Sequence, residues 1–331
     1  MSDDSQDHLD WSAPVARTKR VTPNMQRITL AGGDLSRFES SGRPDERLLL
    51  AFPPDGAEKR SYTVRRWDPD ALEMDIDFAV HAGGTAAHWA AGARPGETLG
   101  FSTASGWYAP PADTRWQLLV ADMTALPAVG RIVEELPGSA RVHVIAEVTT
   151  PEDRQQFATD AALTVTWLDG SGNGAGDSLL AEAARDWPRP DAPGYVWFAG
   201  EAKVSRVVRR WLRHDLGWHA DRYDVIGYWR DNKEEWVARY ETVREQIEAA
   251  RDSALAAGED FDSVRDAVDA ALDRTGLSRR RRRVSGIVRR RRAASWRRRG
   301  WRRRRQPAAR PRRSRAGAGH RTCRWCRRWR G

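Results

Sequence analysis

Between residues 116 and 228 the sequence alternates short apolar segments with segments of helical spacing. Such an alternation of strands and helices favours a parallel sheet covered by helices on both faces. A sheet of this kind binds ligands where the carboxyl ends of strands meet the amino ends of helices. The predicted strands cover residues 116–121, 142–148, 163–168, 195–199 and 223–228, and the predicted helices cover residues 125–136, 178–187 (capped by Ser178) and 204–212.

Residues 12–110 have a different pattern, in which several short strands are separated by glycine and proline turns. Two strands are predicted within residues 15–32 and another at residues 48–52. Apolar residues alternate with acidic residues over residues 72–80, which predicts a strand with one buried face. We therefore expect a small antiparallel barrel, so that the fold class is a β-barrel followed by an α/β domain. The expected domain bounds are residues 12–112 for the barrel and residues 113–233 for the α/β domain.

The helical spacing of apolar residues over residues 234–278 predicts a helical extension with two apolar stripes. Trp236 begins the first stripe and Val264 begins the second, with Asp262 as the expected N-cap and Gly276 as the C-terminal stop. We expect these helices to form a hairpin that docks on the body of the protein or on a second copy.

Residues 279–331 differ from the rest of the chain in charge. They hold 25 of the 56 lysine and arginine residues and no acidic residue, so residues 1–278 carry a net charge of −15. The acidic body makes nucleic acid an unlikely partner for that part of the chain. The tail lacks any apolar period, and we expect it to be disordered. We favour a frameshifted or otherwise non-native tail, and the alternative is an arm that binds nucleic acid through arginine and stacked tryptophan.

Two further classes of protein are disfavoured by the sequence. No segment approaches the run of about 20 apolar residues that a membrane span needs. Residues 1–10 are acidic and polar, unlike a secretory signal peptide, so we expect a cytoplasmic protein. Cys323 and Cys326 lack the second pair of ligands that structural zinc requires, and we predict no metal site.

Three segments carry residues suited to binding a nucleotide. Residues 60–63 combine an arginine for a phosphate, an aromatic ring and a hydroxyl on one strand, although an exposed strand would show the same residues. Residues 81–89 pass through a glycine turn into a short helix, whose free N–H groups favour phosphate. Residues 122–128 form the first strand-to-helix turn of the α/β domain, but they lack the GxGxxG fingerprint.

Together these segments resemble a known family, the siderophore-interacting proteins or ferric-siderophore reductases, within the ferredoxin-reductase-like flavoproteins. Five motifs carry the resemblance in order over about residues 12–236. They are Arg60-Ser61-Tyr62-Thr63, His81 to Ala90, Asp122 to Ala128, Val196-Trp197-Phe198-Ala199-Gly200-Glu201 and Gly227-Tyr228-Trp229-Arg230. Two positions depart from the pattern of the family, with Thr85 in place of a proline and residues 102–107 in place of a Gly-Pro-x-Gly segment.

The resemblance implies FAD in the barrel and NADPH or NADH as electron donor on the parallel sheet. It suggests Arg60 on the FAD phosphates, Tyr62 against the flavin ring and Thr63 near its N5 atom. Trp107 and Tyr108 would shield the ring or pack in the barrel. The full set of implied cofactor-binding residues is Arg60, Ser61, Tyr62, Thr63, His81, Gly83, Gly84, Thr85, Ala86, Asp122, Thr124, Ala125, Gly200 and Glu201.

Lys203 and Arg206 would attract an anionic siderophore or a phosphate of NADPH, or they form a solvated start of a helix. The implied function is an FAD-dependent NAD(P)H:ferric-siderophore oxidoreductase that releases Fe²⁺ for intracellular use. A ferredoxin is an alternative electron donor. The alternative functions are a flavin reductase of the same fold that acts on a quinone or a protein, and a nucleic-acid-binding protein that acts through the tail.

Overall fold

The computed structural model describes residue 9 and residues 11–52, 58–81 and 84–278. Its strands are β1 (Trp11–Thr22), β2 (Met25–Ala31), β3 (Arg47–Phe52), β4 (Glu58–Asp68), β5 (Glu73–Ala79), β6 (Thr98–Phe101), β7 (Trp116–Ala121), β8 (Arg141–Val148), β9 (Ala162–Asp169), β10 (Gly194–Glu201) and β11 (Tyr223–Trp229). Its α-helices are α1 (Thr85–Gly92), α2 (Leu126–Glu135), α3 (Leu180–Asp186), α4 (Ala202–Arg210), α5 (Lys233–Glu241), α6 (Arg244–Ala256) and α7 (Phe261–Arg274). Each strand and helix predicted for the α/β domain is present.

The first six strands form a closed barrel in the order β1-β2-β5-β4-β3-β6, with antiparallel pairing throughout. Met74, Ile76 and Phe78 alternate along β5 and are fully buried in the barrel core, as their period of two predicts. The opposite face of β5 is also covered, although a single buried face was expected. Asp75 accepts a hydrogen bond from Thr29 there, and Asp77 binds a neighbouring arginine.

The last five strands form a parallel sheet in the order β11-β10-β7-β8-β9. The order reverses between β7 and β10, which makes this position the topological switch point of the sheet. Helices α3 and α4 pack on one face of the sheet. Helix α2 covers the other face and also contacts β4, so that it lies between sheet and barrel. The predicted barrel followed by an α/β domain is thus confirmed, whereas the exact domain bounds stay predictions.

The hairpin of α6 and α7 follows the parallel sheet. Apolar residues of the two predicted stripes, among them Ile247 and Leu272, form a small buried cluster. Asp260, rather than the expected Asp262, caps α7 by accepting a hydrogen bond from the Ser263 amide. The hairpin docks on the body of the protein, because Arg209 of α4 binds carboxylates on α7 at 2.6 and 2.7 Å.

Smaller differences from the sequence expectation concern helix ends and the tail. Ser178 does not occupy the N-cap position of α3, which falls to Leu179, although the Ser178 hydroxyl accepts a hydrogen bond from the Leu180 amide at 3.3 Å. None of the helices among the described residues has the length and apolarity that a membrane crossing requires. The predictions for the arginine-rich tail, including Cys323 and Cys326, lie outside the described residues.

Candidate functional site

The first predicted motif lies on β4, which pairs with β3 and β5 in the barrel. The Tyr62 ring packs against Phe78 with 4.3 Å between ring centroids, and burial raises the pKa of Tyr62 to about 12. Thr63 is buried, whereas Ser61 is exposed. The Arg60 side chain is 44% exposed and pairs with Glu58, so it is available at the barrel surface.

The second motif forms the start of α1. Gly84 is the N-cap with a φ of 86°, and neither a capping side chain nor an acidic residue compensates the first turn. Thr85 is exposed and Ala86 is buried, so the exposed amino end of the helix is lined by small residues. His81 is exposed directly before this turn, and Gly83 lies outside the described residues.

An aromatic cluster brings these two motifs together. The Trp89 ring of α1 lies 5.4 Å from Phe52 and 5.8 Å from Phe78, and both phenylalanines also contact Tyr62. The buried Trp89 Nε1 has no hydrogen-bond partner among the described residues. The strand that carries Arg60 and the helix that begins at Gly84 are thus joined by one aromatic cluster of the barrel.

The third motif is held by a buried carboxylate at the carboxyl end of β7. Asp122 accepts hydrogen bonds from the amide and hydroxyl of Thr124, at 2.9 and 2.6 Å, and from Trp229 Nε1 at 2.6 Å. Burial raises the pKa of Asp122 to about 6, against the opposite effect of these hydrogen bonds. Ala125 is fully buried, and its amide donates to the Asp122 carbonyl. Asp122 thus acts as the internal support of this turn.

The fourth motif meets the third at the switch point. A Cβ on Gly200 would lie 2.8 Å from the Asp122 carboxylate, so only glycine lets β10 approach β7 this closely. The Glu201 carboxylate is the N-cap of α4 and accepts hydrogen bonds from the amides of Lys203 and Val204. Glu201 thus fixes the start of α4 at the switch point.

The two predicted substrate-binding cations differ in their surroundings. Lys203 is exposed and makes no ion pair with a described side chain. Arg206 is half-buried, and its guanidinium lies 3.9 Å from Asp269 of α7. The structure therefore leaves Lys203 available at the surface and partly neutralises Arg206.

The barrel and the sheet meet at Thr63. Its hydroxyl lies 3.5 Å from the phenol of Tyr228 on β11, and burial raises the pKa of Tyr228 to about 12. The guanidinium of Arg47 lies 4.3 Å from the Trp107 ring centroid and 5.6 Å from that of Tyr228. The flavin motif of the barrel and the last motif of the sheet are thus in contact.

Sequence reasoning missed two charged residues at this junction. Asp45 is fully buried and accepts hydrogen bonds from the amides of Trp107 and Tyr108 and from Trp197 Nε1. Arg47 makes no ion pair with any described residue, and burial lowers its pKa. Neither residue belongs to a motif, and their proximity to the site depends on contacts made across the domain boundary.

The residues present fit a flavin dinucleotide. The uncapped amino end of α1 and the exposed Arg60 suit a pyrophosphate, since free amides and a guanidinium both bind phosphate oxygens. Tyr62 offers an aromatic edge, and the Thr63 hydroxyl has a single long contact. The barrel and the parallel sheet together form a ferredoxin-reductase-like fold, which a Neisseria gonorrhoeae ferredoxin NADP⁺ reductase shares (13% identity, TM-score 0.52, covering 66% of this chain and 98% of that one).

Comparison with known proteins identifies the family. Residues 114–232 match the family model described as siderophore-interacting protein, and residues 14–60 and 58–107 match that of the siderophore-interacting FAD-binding domain. The chain belongs to this siderophore-interacting, FAD-binding reductase family. The ferric vibriobactin reductase ViuB of Vibrio cholerae is 30% identical over 245 residues, covering 66% of this chain and 89% of that protein. A siderophore utilization protein from T. fusca superimposes with a TM-score of 0.60 at 33% identity, covering 67% of this chain and 92% of that one.

Proposed function

We propose that this protein is an FAD-dependent NAD(P)H:ferric-siderophore oxidoreductase that releases Fe²⁺ inside the cell, in the cytoplasm. The observation that carries the proposal is the contact between Thr63 and Tyr228, at 3.5 Å. This contact supports the proposal because it joins the proposed flavin motif of the barrel to β11, near the carboxyl edge of the sheet, where sheets of this kind bind nucleotides. The domain bounds of residues 12–112 and 113–233 belong to the same proposal.

The barrel residues would bind and orient FAD. Arg60 and the amides of residues 84–86 would hold the phosphates, with His81 and Gly83 beside them, while Ser61, Tyr62 and Thr63 would border the ring. Bound there, FAD would supply the redox chemistry, because a flavin can accept two electrons from a hydride donor and pass them one at a time to Fe³⁺. No side chain needs to act as an acid or a nucleophile in such a reaction.

The sheet residues would position the nicotinamide nucleotide. The side chain and amide of Thr124 are already bonded to Asp122, so these two residues fix the backbone at the end of β7. Ala125 and Gly200 keep the switch point free of bulky side chains. Glu201 fixes the start of α4, and this helix presents Lys203 to solvent. Lys203 would attract an anionic siderophore there. Arg206 would contribute less, because Asp269 lies near its guanidinium.

The relatives support this substrate class. One is named ferric vibriobactin reductase, and an Escherichia coli relative, 28% identical over 243 residues, is named NADPH-dependent ferric-chelate reductase. The Arg47 guanidinium, which stacks on Trp107 at the junction, adds positive charge near the proposed flavin edge. A negatively charged ferric complex would be drawn to this side of the molecule.

The test is a visible absorption spectrum of the full chain before and after anaerobic addition of NADH or NADPH. Flavin bands that bleach, return on adding a ferric siderophore and yield chelatable Fe²⁺ are the expected result. Faster reoxidation by a quinone or a protein acceptor would instead favour the other flavin-reductase function. Reduction by a ferredoxin but not by either nucleotide would replace the proposed electron donor.

Variants test the assignment of the flavin site. Arg60→Ala and Tyr62→Ala should each lower the FAD content of the purified protein. Arg66→Ala is the matched control, because Arg66 lies on the same strand, is 48% exposed and pairs with Asp68 as Arg60 pairs with Glu58. Equal FAD content in all three variants would contradict the assignment.

A further inference from the structure

The carboxyl ends of β7, β8 and β9 lie side by side at one edge of the parallel sheet. In doubly wound sheets the ribose of the adenosine lies near the end of the second strand of the unit, which is β8 here. A carboxylate at this position hydrogen-bonds the ribose hydroxyls of NAD, whereas a nearby arginine accommodates the 2′-phosphate of NADP. The charges at this edge therefore bear on which electron donor the proposed reductase uses.

A buried carboxylate occupies the end of β8. Glu147 is fully buried, and its Oε1 accepts a hydrogen bond from the Leu179 amide at 2.7 Å. Its Oε2 has no partner among the described residues, and neither has the buried hydroxyl of Ser171. Because this carboxylate is buried, it acts on a nucleotide through its charge rather than by direct contact, and that charge disfavours a phosphate dianion more than a neutral ribose diol.

The glycine-rich segment 170–178 covers this carboxylate. A Cβ on Gly172 would lie 1.9 Å from Glu147 Oε2, so the backbone of the segment runs directly over the carboxylate. Asn173 ties the segment to the nucleotide edge, because its side-chain oxygen accepts a hydrogen bond from the Met123 amide at 2.9 Å. The segment is thus positioned between the ends of β7 and β8.

Acidic residues outnumber cations at this edge. Residues 149–161 and 169–179 follow β8 and β9, and Arg154 is their single lysine or arginine. Asp169, the last residue of β9, binds that arginine through both carboxylate oxygens, which contact Nε and Nη2. The acidic residues of the two segments near this edge are Glu152, Asp153, Asp169 and Asp177, whereas Asp160 lies just before β9, at the opposite edge.

We propose that this acidic edge makes the protein selective for NADH over NADPH, and that Asp169 determines the selectivity by neutralising Arg154. A 2′-phosphate would meet a surplus of negative charge and a cation already bound by a carboxylate. The proposal rests on the proposed function for its nucleotide site, and it sets this chain apart from the Escherichia coli relative whose name specifies NADPH.

Binding of nucleotide fragments tests the proposal without turnover. The full chain is titrated by calorimetry with 5′-AMP and with 2′,5′-ADP (adenosine 2′,5′-bisphosphate), which differ only in the 2′-phosphate, in 0.2 M NaCl to screen the charge of the arginine-rich tail. We expect 5′-AMP to bind at least tenfold more tightly. Asp169→Asn should reduce that ratio by about fivefold, the size of one exposed ion-pair contribution. Combining it with Arg154→Gln should restore the ratio.

Asp113→Asn is the matched control. Asp113 pairs with Arg222 through two hydrogen bonds at 2.9 and 2.8 Å, and it precedes β7, at the amino ends of the strands. Releasing that arginine adds the same charge to the opposite edge of the sheet. The ratio of the two affinities should therefore stay within twofold of its starting value.

Anaerobic flavin reduction by NADH and NADPH is the second measurement, and the ratio of the two rates should follow the ratio of affinities. Equal or tighter binding of 2′,5′-ADP, no binding of either fragment, or an Asp169→Asn variant with the starting ratio would overturn the proposal. Selective 5′-AMP binding without flavin reduction by either nucleotide would instead refute the proposed function while leaving the selectivity standing.

Discussion

Replacing Asp122 with asparagine should remove a pH dependence of stability between about pH 4 and pH 6. Burial raises the pKa of this carboxyl from 3.8 to about 6 in the folded protein. Over this interval the folded state holds a proton that the unfolded state has lost. Stability therefore falls as the pH rises through it, and the whole penalty is present above about pH 6.

The size of the effect follows from the shift. A difference of one pKa unit corresponds to about 1.4 kcal/mol, so a shift of about two units lowers the free energy of unfolding by about 3 kcal/mol between pH 4 and pH 7. Asparagine cannot ionise and escapes this penalty. It also loses one accepted hydrogen bond, but that loss is the same at every pH.

The assay is urea unfolding of the full chain at several pH values, monitored by tryptophan fluorescence. Trp229, which is hydrogen-bonded to Asp122, contributes to that signal. As the pH rises from 4 to 7, the free energy of unfolding of the native protein should fall by about 3 kcal/mol relative to that of Asp122→Asn. Parallel profiles for the two proteins would refute the reasoning. Asp113→Asn is the control and should leave the profile nearly unchanged over this range, because Arg222 lowers the pKa of Asp113 from 3.8 and its titration therefore falls below pH 4.

Two further substitutions test the packing between the elements. Glu46→Gln removes the buried counter-charge of Arg131, 2.8 Å away, and leaves this guanidinium only the half-exposed Glu135 as a charged partner among the described residues, so it should lower the free energy of unfolding in urea by about 3 kcal/mol. Gly200→Ala forces the Asp122 carboxylate away from Trp229, because the new Cβ would lie 2.8 Å from it, and should cost about 2 kcal/mol. It should also enlarge the pH dependence described above, because the lost hydrogen bond lowers the pKa of Asp122 against the effect of burial.

Each substitution has a control in the same chain. Glu134→Gln breaks the ion pair between Glu134, which is 28% exposed, and Arg65. It should lower the free energy of unfolding by less than about 1 kcal/mol. Gly138→Ala adds a Cβ that meets its nearest neighbour at an ordinary 3.5 Å and should be close to neutral. Equal losses in control and test variants would contradict the roles assigned to Glu46 and Gly200.

The local pattern of the sequence predicted the elements and their order. The alternation along β5 and the helical spacing of α2 were sufficient, because both arise from the period of a single segment. The resemblance of five ordered motifs to one family then indicated the fold and the FAD-binding barrel, and the family comparison confirms both. The particular roles of the site residues stay predictions.

Details that depend on neighbours in space were predicted less well. Asp75 and Asp77 were expected on an exposed face and are buried, because Thr29 and Arg27 of the adjacent strand satisfy their carboxylates. The cap of α7 fell to Asp260, since either of two nearby aspartates suits that position by sequence.

The sequence by itself determined which segments become strands and helices, where the chain changes from barrel to parallel sheet, and which family it belongs to. Only the tertiary structure decided how the site is assembled. Thr63 meets Tyr228 across 165 residues, and Asp122 binds Trp229 across 107. The pairing of Arg154 with Asp169 likewise joins the ends of two strands. Contacts of this kind depend on strand order and register, which bring together side chains that no local period relates.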